Sequence, residues 1–399
     1  MLSVRGMRPL LFAEIVSTTG AAMTAIALPW LVLTTTGSPA RAGLVAAVEW
    51  LPMALLGIPS GAVAARLGPR RTMILCDAAR VPVVAAVPVL HWLGALDLGV
   101  LLALAFLAGA FFPAHFASQR NILPDLLGEE ASGLTRANAV LQAANRLPIV
   151  LGPALGGILV ASFGAPAVLL VDAASYALSA LLLALMVREP ARRAPAPSDG
   201  EGLWAGVHCL ARHRVLRPLT VTYAGIDLAM QGLFLSLPIL AFTAYERDAA
   251  LAGLLLAAWG AGALAGSLPA LRLAAHDSIG LIRMALLAEA IPLWLVAAPV
   301  PPLVLGLGMA LSGLANPIAN APANTLVTLA VPEPLRAKTM LAFITASTAA
   351  GGAGLFIAGP LAEAFGARQV ITCAAALCTA CAVGFALATR RAPAVAEVI

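Results

Sequence analysis

Residues 9–33 read PLLFAEIVSTTGAAMTAIALPWLVL, and residues 218–242 read PLTVTYAGIDLAMQGLFLSLPILAF. Each run holds a single charged side chain, Glu14 in the first and Asp227 in the second. A helix rises about 1.5 Å per residue, so either run is long enough to cross the roughly 30 Å hydrocarbon core of a bilayer. The runs also share a frame. Arg8-Pro9-Leu10 recurs as Arg217-Pro218-Leu219, and Leu28-Pro29 recurs as Leu237-Pro238 at the same offset of 209.

Working outward, ten more apolar stretches fill the chain. The first six candidates run 9–33, 42–65, 72–92, 97–118, 138–161 and 166–188, and the second six run 218–243, 250–272, 280–299, 302–326, 338–361 and 367–389. The whole 399-residue chain is 61% hydrophobic and only 11% charged, with a mean hydropathy of +0.95. A water-soluble domain carries about 25% charged residues, so the solvent for most of this chain is lipid. The expected fold class is therefore an all-α polytopic membrane protein with twelve transmembrane helices in two six-helix bundles.

The repeat continues through both halves. Ala42-Gly43-Leu44 recurs as Ala252-Gly253-Leu254, and Phe163-Gly164-Ala165 as Phe365-Gly366-Ala367. Gly152 and Gly157 match Gly354 and Gly359. Several matches in order, with a slowly drifting offset, mark a duplication. An even number of spans per half makes the repeats parallel, an arrangement that suits transport by rocking of the halves. The expected organisation is a bundle over 1–189, a linker with an interfacial helix over 190–216 and a second bundle over 217–399. Within the linker, residues 190–200 (PARRAPAPSDG) are rich in proline and alanine, while Leu203, Trp204, Val207 and Leu210 form an apolar helical face.

Charge sets the orientation. The pI of about 9.3 invites a nucleic-acid reading, but the basic residues sit at span ends rather than in a stripe, and no nucleic-acid partner is expected. On the twelve-span topology, one side carries only Arg41, Arg247 and Arg368 of the 24 Lys and Arg. The positive-inside rule makes the other side cytoplasmic, with both termini there. The apolar stretch behind Arg5 and Arg8 lacks a small-residue cleavage site and reads as a first span rather than a removable signal. The expected location is a bacterial inner membrane, and the expected state a monomer in the lipid bilayer.

Ionisable groups within spans are costly and are functional candidates by default. They are Glu14 with Ser17 and Thr18 on its face, Glu49, Asp77, Arg80, Arg146, Asp172, Asp227 and Glu289. Polar side chains at helical spacing form three stripes: Tyr223, Asp227 and Gln231; Asn138, Gln142, Asn145 and Arg146; and Asn316, Asn320 and Asn324. These stripes mark either one wet cavity or a set of interhelical hydrogen bonds. Trp30 and Trp50 are candidate aromatic walls of such a cavity. A charge at the depth of Asp227 must be paired, hydrated or protonated, and Arg146 is the basic residue of comparable depth. Asp77 and Arg80, one turn apart, are expected to form a structural ion pair holding the loop to the bundle, with a role in proton movement as the alternative, and Asp172 a structural contact. Glu289 falls on a span that is often peripheral in such bundles.

Other chemistry finds no support. The five histidines are scattered, no GxxxxGK[ST] loop occurs, and Cys378 and Cys381 form a CxxC inside a lipid-phase run, where buried apolar roles are expected. No metal and no cofactor is expected, and no enzyme activity, since no nucleophile and base cluster. Without a nucleotide site, an ion gradient is the expected energy source. A lipid-modifying enzyme or a receptor is the reading of a different class, and the duplication argues against it.

Motifs then carry a resemblance. Gly61-Ala62-Val63-Ala64-Ala65-Arg66-Leu67-Gly68-Pro69-Arg70-Arg71 resembles the GxLADRxGRR signature of the major facilitator superfamily, with Ala65 where an Asp is usual and Pro69 where a basic residue is usual. The run Gly152-Pro153-Ala154-Leu155-Gly156-Gly157 resembles the GPxxGG mark of exporters. Leu134-Thr135-Arg136-Ala137-Asn138, residues 253–258 and Asn316-Pro317-Ile318-Ala319-Asn320 are similar to the drug:proton antiporter branch that includes macrolide-efflux and enterobactin-exporter proteins. The resemblance implies alternating-access transport, proton-coupled, of amphipathic small molecules outward; import by symport is the alternative. It also implies a cytoplasmic gate around Gly61, Arg66, Gly68, Arg70, Arg71 and Arg80. There Asp77 would hold the arginines in place of the missing acid.

Overall fold

A computed structural model describes residues 7–127, 131–187, 204–273 and 278–390. Within these, the side chains of residues 58, 61, 62, 65, 120, 121, 123–127, 131–145, 271, 278, 329, 333, 334 and 337 are left out of the description. The expected linker, residues 190–200, lies outside the described residues.

Fifteen helices make up the described chain. They are α1 (Met7–Thr36), α2 (Pro39–Leu67), α3 (Pro69–Trp92), α4 (Leu98–Ala110), α5 (Phe112–Leu127), α6 (Ala131–Phe163), α7 (Ala165–Met186) and α8 (Ala205–Arg212). Then come α9 (Leu216–Ala244), α10 (Ala249–Leu273), α11 (Ser278–Ala290), α12 (Leu293–Ala297), α13 (Pro302–Leu329), α14 (Glu333–Phe365) and α15 (Ala367–Ala388). Twelve segments are long and apolar enough to cross a membrane. Two of the expected spans are broken. The fourth divides into α4 and α5 at Phe111, and the ninth into α11 and α12 before Leu293. Pro113 follows the first break and Pro292 sits in the second, where a missing N–H interrupts the helical ladder.

Tight joints connect successive spans. Gly68 alone separates α2 from α3, with φ at 86°. Gly164 (φ 83°) and Gly366 (φ 90°) do the same at α6–α7 and α14–α15, matching positions of the repeat. That backbone region is closed to most side chains, so glycine permits a one-residue reversal.

The chain forms two compact units. The first comprises residues 1–196 and 241–257, the second residues 197–240 and 258–399. In the first, α1 is central and packs on α6 and α7, α3 packs on α7, and α2 packs on α4 and α5. Met7, Leu10, Leu11, Ala13, Met73, Ile122, Leu183 and Val187 form its apolar core. In the second, α11 packs on α13 and α15, and Gly354 of α14 sits directly on the Leu228 carbonyl of α9. Large apolar side chains point outward, among them Leu303 at 85% exposure and Leu185 at 75%. Such a surface is costly in water and matched by lipid tails.

The helix α8 docks on α14 through its smallest residue, Gly206, which lies against the Lys338 carbonyl. The expected apolar face is thereby split. Leu210 is buried, but Trp204 and Val207 are exposed, because glycine rather than the larger side chains allows the close helix contact.

Candidate functional site

In the second unit a cavity of about 230 Å³ opens among α9, α11, α13 and α14. Asp227, Glu289, Asn316, Asn320 and Asn324 supply its polar wall, and Tyr223 and Phe343 its aromatic one. The stripe on α13 arises from helical spacing alone: residues four apart share a face. Asn316 Nδ2 donates to Glu289 Oε1 at 2.9 Å, and Asn320 Nδ2 donates to the Asn316 carbonyl at 3.0 Å. The rings of Tyr223 and Phe343 lie 5.5 Å apart, tilted by 56°. The Tyr223 hydroxyl is buried and has no hydrogen-bond partner. None of the described lining residues is Lys, Arg or His.

Several expectations change here. Glu289, a cavity candidate on a span that is often peripheral, is 3% exposed and lines the cavity. Gln231 is not part of the lining: its Cγ packs towards Gly351 of α14. Trp30 is not an open wall but a packed side chain, edge-on to Phe242 at 5.6 Å, while Trp50 is exposed. Arg146, in the first unit, is half-buried. The side chains of Asn138, Gln142 and Asn145 lie outside the described residues.

A second polar centre lies inside the first unit. Glu14 on α1, Asp77 and Arg80 on α3, His115 and Gln119 on α5, and Asp172 on α7 are all buried. Gln119 Nε2 donates to Glu14 Oε2 in a short bond. Ser179 Oγ donates to Asp77 Oδ2 at 2.6 Å, and Thr24 Oγ1 to Asp172 Oδ2 at 2.6 Å. Gly20 makes the latter geometry possible, since a Cβ there would stand 2.5 Å from Asp172 Oδ1. His115 Nε2 lies 3.3 Å from Asp77 Oδ1 and 3.8 Å from Glu14 Oε1. The expected ion pair between Asp77 and Arg80 is not formed. Asp77 faces Ser179 and His115, whereas the Arg80 guanidinium lies 5.1 Å over the Tyr176 ring and 5.8 Å from that of Phe112. Glu49 is half-buried on α2 and within electrostatic reach of Arg80. His115 and Gln119 were legible only as two polar side chains four apart on one helix face.

Arg70 is also held differently from expectation. Arg70 Nε donates to the carbonyls of Val187 (2.6 Å) and Leu183 (3.2 Å), and its Nη2 to that of Ala184. It therefore caps the C-terminus of α7, whose last carbonyls have no partner within the helix. Asp77, with 0% exposure, is turned into the bundle and away from this role. Arg66, in the last turn of α2, and Arg71 are exposed; Gly61 lies within α2.

The glycines of the 152–157 run face two helices. A Cβ on Gly152 would strike Ala22 of α1, and one on Gly156 would stand 2.9 Å from Met23 Cα. One on Gly157 would stand 2.6 Å from the Ala249 carbonyl and 2.9 Å from Gly253 Cα on α10. The Pro153 carbonyl in turn presses on Gly253. Small residues here let backbones touch.

Comparisons agree with this architecture. The Major Facilitator Superfamily matches residues 10–355. The multidrug efflux pump Tap of Mycolicibacterium fortuitum is 31% identical over 365 residues, covering 90% of this chain and 89% of its own. Its namesake in Mycobacterium tuberculosis is 30% identical over 372 residues, covering 90% and 87%. The fold is shared with the nucleoside transporter NupG (D323A mutant; TM-score 0.77, 13% identity, 96% and 99% covered). It is shared too with a bacterial homologue of the iron transporter ferroportin (TM-score 0.74, 15% identity, 96% and 98% covered). Twelve helical segments among the described residues that are apolar and long enough to cross a membrane, and a family match over residues 10–355, lead to one assignment: the chain is a multi-pass transporter belonging to the major facilitator superfamily.

Proposed function

We propose that the protein is a proton-driven exporter of amphipathic small molecules, acting as a monomer in a bacterial inner membrane with both termini in the cytoplasm. The observation that carries this reading is the cavity of the second unit. Among the described residues its walls combine two carboxyl groups, three asparagines and two aromatic rings, with no basic residue. Apolar and aromatic walls with a few polar groups fit organic amphiphiles, and two carboxyls without a counter-cation favour a cationic cargo. Likeness to efflux pumps named for multiple drugs supports the same class and the outward direction. Glu14 and Asp227, on the first spans of the two halves, are the acids through which a proton gradient would act.

The test is transport of tetraphenylphosphonium in sealed proteoliposomes of known orientation, with an imposed pH gradient. Gradient-driven export that falls in Asp227→Asn and Glu289→Gln is the expected result. Full export in the Glu14→Gln/Asp227→Asn double variant would remove both acids from coupling. Movement of the probe inward with protons would mean symport instead.

A further inference from the structure

We infer that His115 is a proton-binding switch, holding the driving proton between Glu14 on α1 and Asp77 on α3; this deepens the reading of a proton-driven transporter and rests on it. Three atoms converge in the interior of the first unit: His115 Nε2, Glu14 Oε1 and Asp77 Oδ1. All three are buried and none has a hydrogen-bond partner. Their neighbours are committed elsewhere, Glu14 Oε2 to Gln119 and Asp77 Oδ2 to Ser179. The two free oxygens therefore both face a single ring nitrogen.

A ring nitrogen carries at most one hydrogen. It can satisfy Asp77, 3.3 Å away, or Glu14, 3.8 Å away, but not both at once. The arrangement has two states, one linking α5 to α3 and the other linking α5 to α1. Proton transfer from the imidazolium to either carboxylate leaves a neutral imidazole and a carboxylic acid, so the balance of charge is kept.

Among the described side chains, charge counting calls for a proton. Buried charge without compensation is prohibitively costly. Glu14, Asp77 and the fixed cation Arg80 sum to one negative charge when His115 is neutral, and one proton on the trio restores neutrality. Asp172 on α7 and Glu49 on α2 also feel Arg80, and each stays neutral only with a proton of its own. Among the described side chains, Tyr176 on α7 and Cys76 on α3 are further titratable groups near the site. On α6, Arg146 is the first described side chain that could carry charge.

The experiment isolates the histidine without touching the site. His91, His208 and His276 are replaced by Gln and His213 by Asn, leaving His115 as the sole histidine. Ring-labelled protein in this background is titrated by infrared difference spectroscopy between about pH 5 and pH 9. An imidazole band that titrates together with a carboxyl C=O band is expected, and Glu14→Gln or Asp77→Asn should shift it. A histidine silent over that range overturns the inference. Separately, His115→Gln should retain tetraphenylphosphonium binding and gradient-free exchange but lose accumulation driven by a pH gradient. Undiminished driven accumulation would also overturn it. If the unaltered protein neither binds nor moves the probe, the cargo reading fails while the titration still decides the role of His115.

Discussion

Arg70 offers a sharp contrast between two ways of holding the joint between α2 and α3. If it is a clamp on α7, removing it acts on the end of that helix; if it were latched by Asp77, the two residues would be energetically coupled. The structure gives Arg70 three acceptors, the carbonyls of Leu183, Ala184 and Val187. A hydrogen bond to a charged group contributes about 1.5–3 kcal/mol when buried. The guanidinium is half exposed, and its Nε serves two carbonyls at once, so the expected cost of Arg70→Met is about 2 kcal/mol. Arg70→Lys retains the charge but not the fork and should lose roughly half of that. Thermal unfolding in detergent, with the exposed Arg214→Gln as a surface control, measures the effect. Combining Arg70→Met with Asp77→Asn should be additive within about 0.5 kcal/mol, as for sites without a shared partner. A coupling of about 1 kcal/mol or more, or an Arg70→Met no worse than Arg214→Gln, would refute the clamp.

Further expectations are independent of that one. Arg283 donates to the hydroxyl and carbonyl of Thr389 at the end of α15, and Thr389 occupies the repeat position of Val187, so Arg283→Met should destabilise by a similar amount in the same unfolding assay. Gly262 and Gly266 of α10 rest on the carbonyls of Ala310 and Leu314; Gly266→Val should cost about 1–3 kcal/mol through overpacking, visible as a lower unfolding temperature, and an unchanged temperature would deny the contact. In the cavity, Glu289→Gln should weaken binding of tetraphenylphosphonium by about tenfold, near 1.4 kcal/mol, while binding of a neutral isostere stays level; equal losses for both would argue for a packing defect. His213 Nδ1 accepts from the amides of Val215 and Leu216, and burial lowers its pKa. A folded pKa below the unfolded one means the cap is intact above about pH 6.5 and is lost as pH falls through the folded value. Amide exchange at residues 215–219, corrected for intrinsic rates, should rise at low pH, and His213→Asn should flatten that rise.

What could be read from the sequence was set by the solvent. Lipid demands about 20 apolar residues per crossing and satisfies no backbone group, so residues 9–33 and 218–242 could be little else than spans. The duplication, the glycine joints at Gly164 and Gly366, and the Asn316, Asn320 and Asn324 stripe follow from spacing along one helix, which is local. Contacts between helices are not local. Nothing in the spacing of Asp77 and Arg80 says that one turns to Ser179 and His115 while the other lies over Tyr176 and Phe112. His115 looked like one of five scattered histidines because its partners lie about forty and a hundred residues away in sequence. Glu289 lines the cavity beside Asp227 and Asn316 of two other helices, a meeting that the spacing along its own span does not contain. The helices were determined by composition over twenty residues at a time; which buried charges meet was decided by packing, because a buried charge finds its partner wherever the tertiary structure brings one.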